Sequence, residues 1–164
     1  MHTARHVRSG PAFLAVALIV LAAATAAGAA RAEQPAGGRL LPVIERISGP
    51  VLVTIMEAEG YAVSLDEDAD VVWKIEGLRT LIQVDPDGDS LLFRAAFGDG
   101  NATLERVNAW NGTKRFSRSF LDDEGDPVLE LDLDLTGGVT LERLTDYLLT
   151  CRMSYLRWFV EVVQ

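Results

Sequence analysis

A chain of 164 residues and 17.8 kDa has room for one domain and a targeting segment. Its 15 Lys+Arg stand against 24 Asp+Glu, a formal net charge of −9, and a surface of that sign repels nucleic-acid phosphates and anionic lipid. Both kinds of partner are disfavoured, and the acidity mainly signals solubility.

Residues 1–32 read as a signal peptide. Arg5 and Arg8 make a positive start, Phe13 to Leu21 an apolar stretch, and Ala30-Arg31-Ala32 an A-x-A cleavage pattern, so removal after Ala32 is expected. The competing reading is an uncleaved anchor over Pro11 to Ala30, which alanines would drive into a bilayer only weakly. No cysteine lies near the cleavage site to carry a lipid, and the leader suits a bacterial periplasmic or secreted protein. The leader holds three of the basic residues and none of the acids, so its loss brings the net charge to −12. It also holds both histidines, His2 and His6. The remainder therefore lacks Ser-His-Asp and Cys-His catalysis, His-ligated zinc and an imidazole base. The single Cys151 precludes an intramolecular disulfide. With Leu148 and Tyr155 at helical spacing from it, the thiol is expected to be a small buried hydrophobe.

Residues 33–47 comprise a linker, polar and Pro/Gly-rich over Glu33 to Gly38, and a short apolar segment of Leu41, Val43, Ile44 and Ile47 whose state the pattern leaves open. Residues 48–164 form the domain. Ser48 or Gly49 can cap a helix with Pro50 in its first turn, Val51, Leu52, Ile55 and Met56 give an apolar face, and Gly60 supplies a left-handed stop. Four β-rich segments follow, Tyr61 to Leu65, Val71 to Glu76, Leu78 to Val84 and Ser90 to Phe97, separated by Asp/Gly turns that predict an antiparallel meander. A second helix is expected from near Thr103, with Leu104, Val107 and Trp110 on its apolar side and Gly112 ending it. Strands are predicted over Phe116 to Leu121 and Val128 to Leu135. In the latter, Leu129, Leu131, Leu133 and Leu135 point one way and Glu130, Asp132 and Asp134 the other, giving one dry and one wet face.

The last element, Thr140 to about Val163, would span roughly 36 Å as a helix. Leu141, Leu144, Leu148, Cys151, Tyr155, Trp158 and Val162 make one apolar stripe; Leu149, Met153, Leu156, Val160 and Val163 make a second. A single sheet face needs only one of them, which leaves the second for the monomer core, a dimer or a client. The fold class implied is α+β, an antiparallel sheet with helices packed on one face.

Three groups of residues invite chemistry. The turns at Asp85-Pro86-Asp87-Gly88-Asp89 and Asp122 to Asp126 resemble calcium loops, but the positions that would carry a bidentate glutamate are Ala96 and Leu133, and hairpin turns use the same residue types. Glu130, Asp132 and Asp134 stand about 6.5 to 7 Å apart along a strand, a spacing that overlaps glycosidase carboxyl pairs, yet a solvated face paired with Lys114, Arg115 or Arg118 explains them more simply. Asn108 and Asn111 flank Trp110 on the second helix and could present amides and an indole to a ligand.

Val107-Asn108-Ala109-Trp110-Asn111, Arg115-Phe116, Leu121-Asp122-Asp123-Glu124-Gly125-Asp126-Pro127-Val128-Leu129-Glu130 and Gly137-Gly138-Val139-Thr140, taken in order, resemble the YbjN family, a bacterial group labelled sensory transduction regulators. Gly60-Tyr61 and Leu91-Leu92-Phe93-Arg94-Ala95 fit more loosely. The likeness covers roughly Ser48 to Phe159. It implies a fold similar to type III secretion chaperones, which often dimerise, and it carries over no catalytic, cofactor or metal residues. Two features depart from the family pattern: Gly112-Thr113 interrupts a stretch that is usually more basic, and the leader points away from the cytoplasm. The expectation is a non-enzymatic, chaperone-like binding or regulatory module acting on a protein or peptide, with a homodimer as a second use of the same surface. Candidate contact residues are Asn108, Trp110, Asn111, Met153 and Leu156. Nucleic acid and stable membrane insertion after cleavage are not expected. The alternatives are a carboxylate-dependent envelope hydrolase and a calcium-responsive envelope protein.

Overall fold

The computed structural model describes residues 42–98 and 100–164; the leader, its cleavage motif, Glu33 to Gly38 and Leu41 lie outside them. The apolar segment before the first helix is a two-residue strand, β1 (Val43–Ile44). Helix α1 (Gly49–Ala58) starts after Ser48 in extended conformation, with Pro50 in its first turn, where no intrahelical N–H bond is lost. Gly60 ends it at φ +84°, which lets Tyr61 N–H reach the Met56 carbonyl at 3.0 Å.

Strands β2 (Val63–Leu65), β3 (Val71–Ile75), β4 (Leu78–Val84) and β5 (Ser90–Ala96) form the antiparallel meander that their alternation predicted. Glu76 and Gly77, at φ 50° and 83°, make the two-residue hairpin turn between β3 and β4. Helix α2 (Leu104–Thr113) is capped by Thr103, whose hydroxyl accepts from Arg106 N–H. It does not stop at Gly112. Lys114 N–H bonds the Trp110 carbonyl and the Thr113 hydroxyl bonds that of Ala109, so the last turn closes on extended backbone without a left-handed glycine. Leu104 also departs from expectation: at 73% exposure it lies off the buried side of α2, which Val107 and Trp110 alone provide.

Strand β6 (Arg118–Leu121) then runs at the sheet edge, and β7 (Pro127–Asp134) turns back into the slot between it and β5. The sheet order is β2-β3-β4-β5-β7-β6. A glycine pair, Gly137 and Gly138, leads into β8 (Val139–Thr140), which pairs with β1. Gly138 has φ +89°, and a Cβ there would stand 2.8 Å from a Val43 methyl, so a glycine permits this pairing. Helix α3 (Leu141–Trp158), capped by Thr140, continues into a π-helical turn over Phe159–Val163, where Gln164 N–H bonds the Phe159 carbonyl.

Leu52, Met56, Trp73, Phe93, Trp110, Leu131, Tyr155 and Trp158 share one core over the dry face, so all three helices cover the same side of the sheet. Cys151 is buried there, and desolvation raises its pKa. Two tyrosines of α3 enter this core in opposite states. Burial pushes both phenols up, that of Tyr155 to about 12. The Tyr147 hydroxyl donates to the Leu131 carbonyl at 2.8 Å and accepts Phe93 N–H at 3.1 Å, locking the helix to the β5–β7 pair. The Tyr155 hydroxyl is buried with no partner among the described residues. Tyr147→Phe is therefore expected to cost about 2 kcal/mol, since backbone groups lose a buried partner, while Tyr155→Phe should be neutral or stabilising by about 1 kcal/mol. Urea unfolding of both variants measures the contrast, and a Tyr155→Phe loss equal to that of Tyr147→Phe would refute it.

Candidate functional site

The two apolar stripes of α3 meet different fates. Leu144, Leu148, Cys151, Tyr155, Trp158 and Val162 are buried in the core, whereas Leu149, Met153 and Val160 are each at least half exposed and Leu156 is partly buried. Leu141 departs from the first stripe at 48% exposure. Val163 departs from the second: it is buried in the π-helical turn, its carbonyl accepting Asn101 N–H at 2.8 Å. What remains is an exposed apolar strip along the C-terminal half of α3 and into the π-helical turn.

Beside it runs the α2–β6 connection, Lys114 to Ser117. Trp110 holds this loop at both ends: its carbonyl takes Lys114 N–H, and its buried indole donates to the Ser117 hydroxyl at 3.1 Å. Between these anchors Phe116, predicted to begin a strand, instead adopts φ +65° and is 74% exposed. A left-handed conformation costs a phenylalanine about 1 to 3 kcal/mol, and here it turns an aromatic ring toward solvent. The ring borders two clefts. One, of about 540 Å³, is lined by Trp110, Arg115, Met153, Leu156 and Arg157; the other, of about 350 Å³, by Asp132, Arg143, Asp146 and Tyr147.

Of the candidate contact residues, Trp110, Met153 and Leu156 meet at the first cleft, with Trp110 contributing an otherwise buried ring. Asn108 is exposed on α2 and does not line it. Asn111 is committed elsewhere. Its side-chain amide donates to the Ser119 carbonyl at 2.8 Å and accepts Ser119 N–H at 2.9 Å, so it occupies the outer edge of β6 as a neighbouring strand would. Asn111 thus spends one amide hydrogen and one oxygen lone pair on the sheet edge, which fixes its side chain there and away from the cleft. Asn111→Ala should cost about 1 to 2 kcal/mol and expose that edge, detectable as faster amide exchange at Ser119 and as aggregation on partial unfolding. Unchanged exchange there would contradict the edge-blocking role.

Glu130 corrects the picture of a solvated acidic stripe. It is 3% exposed, because β7 is an interior strand and Glu130 sits in register between Arg94 of β5 and Arg118 of β6. Arg94 reaches one carboxylate oxygen at 2.6 Å and Arg118 Nε the other at 2.8 Å, and the Glu130 carboxylate raises the Arg118 pKa. Asp132 and Asp134 stay exposed, and the Thr136 N–H lowers the pKa of Asp134. Lys114, considered as a partner for this stripe, pairs instead with Glu161 at 2.8 Å. Phe116, Arg115 and Arg157 are site residues that the sequence reading did not single out. The adjacent Arg115-Phe116 pair was visible, but its left-handed backbone was not.

The acidic turns share one construction. Asp66, Asp85 and Asp122 each lead a turn and spend Oδ1 on backbone N–H groups within it, at Asp68 and Asp70, at Asp87, and at Glu124 and Asp126 respectively. At the second turn, ligand atoms of Asp85, Asp87 and Asp89 lie within 4.8 Å of one another.

Residues 50–162 match the YbjN family, described as "Putative bacterial sensory transduction regulator". The chain belongs to the YbjN family. Among solved structures it is similar to YbjN from E. coli, described as "a putative transcription regulator", with a TM-score of 0.60 and 16% identity over 75% of this chain and 99% of that one. An uncharacterized protein from Methanothermobacter thermautotrophicus is more distant, with a TM-score of 0.42 and 14% identity over 68% of this chain and 93% of that one. No curated protein matches. At 16% identity the likeness to E. coli YbjN speaks to the YbjN-type α+β fold alone. Among the described residues no helix is long and apolar enough to cross a membrane.

Proposed function

We propose that this YbjN-family chain is a non-enzymatic binding and regulatory module, periplasmic or secreted after cleavage at Ala32, which engages a protein or peptide through α3 and the Phe116 loop. The observation that carries this reading is the coincidence of the exposed strip Leu149, Met153, Val160 with the strained, exposed Phe116. Apolar groups gathered in this way on an otherwise acidic surface mark an interaction face. The hydrolase alternative loses support from Glu130, whose carboxylate is taken by two guanidinium groups, and from the separation of the stripe, of which Asp132 alone lines a cleft. The test is cross-linked capture from envelope extract with wild-type protein, Met153→Glu and Leu104→Glu. Loss of capture with the first variant and not the second is expected, because Leu104 is exposed on another element. Equal capture by all three proteins would sink the proposal.

A calcium-responsive envelope protein remains a second reading on one observation, the close approach of Asp85, Asp87 and Asp89. Calorimetric titration without heat at millimolar calcium would eliminate it.

A further inference from the structure

The partner's chemistry can be read from the groove walls. Leu149, Met153 and Leu156 of α3 and Val160 of the π-helical turn follow a 4-3-4 spacing, the seam a second helix would pack against, over about 17 Å. The cleft beside that seam carries Lys114, Arg115 and Arg157 and no carboxylate in its lining. Glu161 binds both Lys114 and Arg157, at 2.8 and 3.7 Å, so the three cations retain an excess of two positive charges. Among the described residues Arg115 has no carboxylate partner; its guanidinium lies 5.3 Å from the Phe116 ring centroid. A positive wall beside an apolar seam stands out in a chain of net charge −9, and it selects a partner of opposite sign.

We infer that α3 and the Phe116 loop receive an acidic amphipathic helix of another protein, with apolar side chains on the Leu149 to Val160 seam and carboxylates against Arg115 and Arg157. This rests on the reading of the α3 strip as a binding face. Phe116 supplies an aromatic wall beside Met153 and Leu156, and Met153 a deformable apolar floor suited to helices of varied sequence.

Two synthetic probes test it: an amphipathic helix of about three heptads with leucine at the seam positions and glutamate beside them, and its counterpart with lysine in place of glutamate. Fluorescence anisotropy with the purified protein should show the glutamate helix binding about tenfold or more tightly than the lysine helix, with affinity falling as salt rises. Arg115→Glu/Arg157→Glu should reverse the preference, and Met153→Glu should abolish binding of either probe. Both arginines are exposed, so an unchanged thermal melt of the double variant confirms that charge, not folding, is being read. A lysine helix that binds wild-type protein as well as the glutamate helix, yet is lost in Met153→Glu, overturns the acidic partner while leaving the binding face intact. Binding of neither probe overturns the helical occupant. A dimer that Met153→Glu dissociates, seen by sedimentation, assigns the strip to a second copy and overturns it too. Indifference of capture and both probes to Met153→Glu defeats the underlying reading.

Discussion

Trp158→Ala is expected to lower stability by about 4 kcal/mol, a large share of what a domain of this size holds. Trp158 is fully buried, and its ring packs on Phe97 with centroids 5.9 Å apart. Its indole N–H donates at 2.8 Å to the hydroxyl of Ser119, which itself donates to the Val128 carbonyl at 2.9 Å. Asn111 holds the backbone of the same serine. Ser119 is therefore the point where α2, α3, β6 and β7 are tied together. Trp158→Phe, which keeps most of the packing, should cost about half as much, and Ser119→Ala about 1 to 3 kcal/mol by leaving the buried indole N–H unsatisfied. Because these groups share one network, the Trp158→Phe/Ser119→Ala double variant should lose less than the sum of its singles. Additive losses in urea unfolding would show that the hydroxyl link contributes nothing of its own.

The second large effect concerns Glu130. Arg94 and Arg118 are partly in water, their side chains 37% and 64% exposed, so each alone is worth only about 1 kcal/mol while the other guanidinium remains on the carboxylate. Arg94→Met/Arg118→Met leaves a nearly inaccessible carboxylate between two apolar side chains. The expected loss is about 3 kcal/mol, well beyond the sum of the singles. Adding Glu130→Met should recover most of it, since the cost belongs to the unpaired charge and not to the missing arginines. Denaturant midpoints of the four variants check this, and a double variant no worse than its singles would mean that Glu130 rehydrates freely.

Local structure was legible in the sequence to a high degree. Gly60, Thr103 and Thr140 marked helix ends through backbone conformation and capping, which depend on a few consecutive residues. Alternation in Leu129 to Leu135 identified the dry face of β7 because strand side chains must alternate. Gly112 failed as a stop signal because hydrogen bonds from Thr113 and Lys114 closed the helix first. Leu104 failed as a core residue because it lies off the side of α2 that Val107 and Trp110 bury, and propensity does not record how a helix is rotated against its neighbours.

The candidate site was legible only in part. The second stripe of α3 named Met153 and Leu156, but periodicity is the same whether a stripe is buried or bare. Asn111 and Trp110 drew notice for residue type, and the pairing of α2 with the edge of β6 turned one into an edge block and the other into a loop anchor.

By itself, then, the sequence determined the α+β class, the antiparallel strands, the family and the lack of histidine outside residues 1–32, because each follows from residue identity or from neighbours within one or two turns of chain. The tertiary structure alone decided that β7 lies between β5 and β6, and hence that Glu130 is buried between Arg94 and Arg118, residues 36 and 12 positions away. It also decided which stripe of α3 faces solvent and that Phe116 stands left-handed beside it. Strand order and helix rotation are set by long-range packing of one dry face, and no local pattern in the chain encodes them.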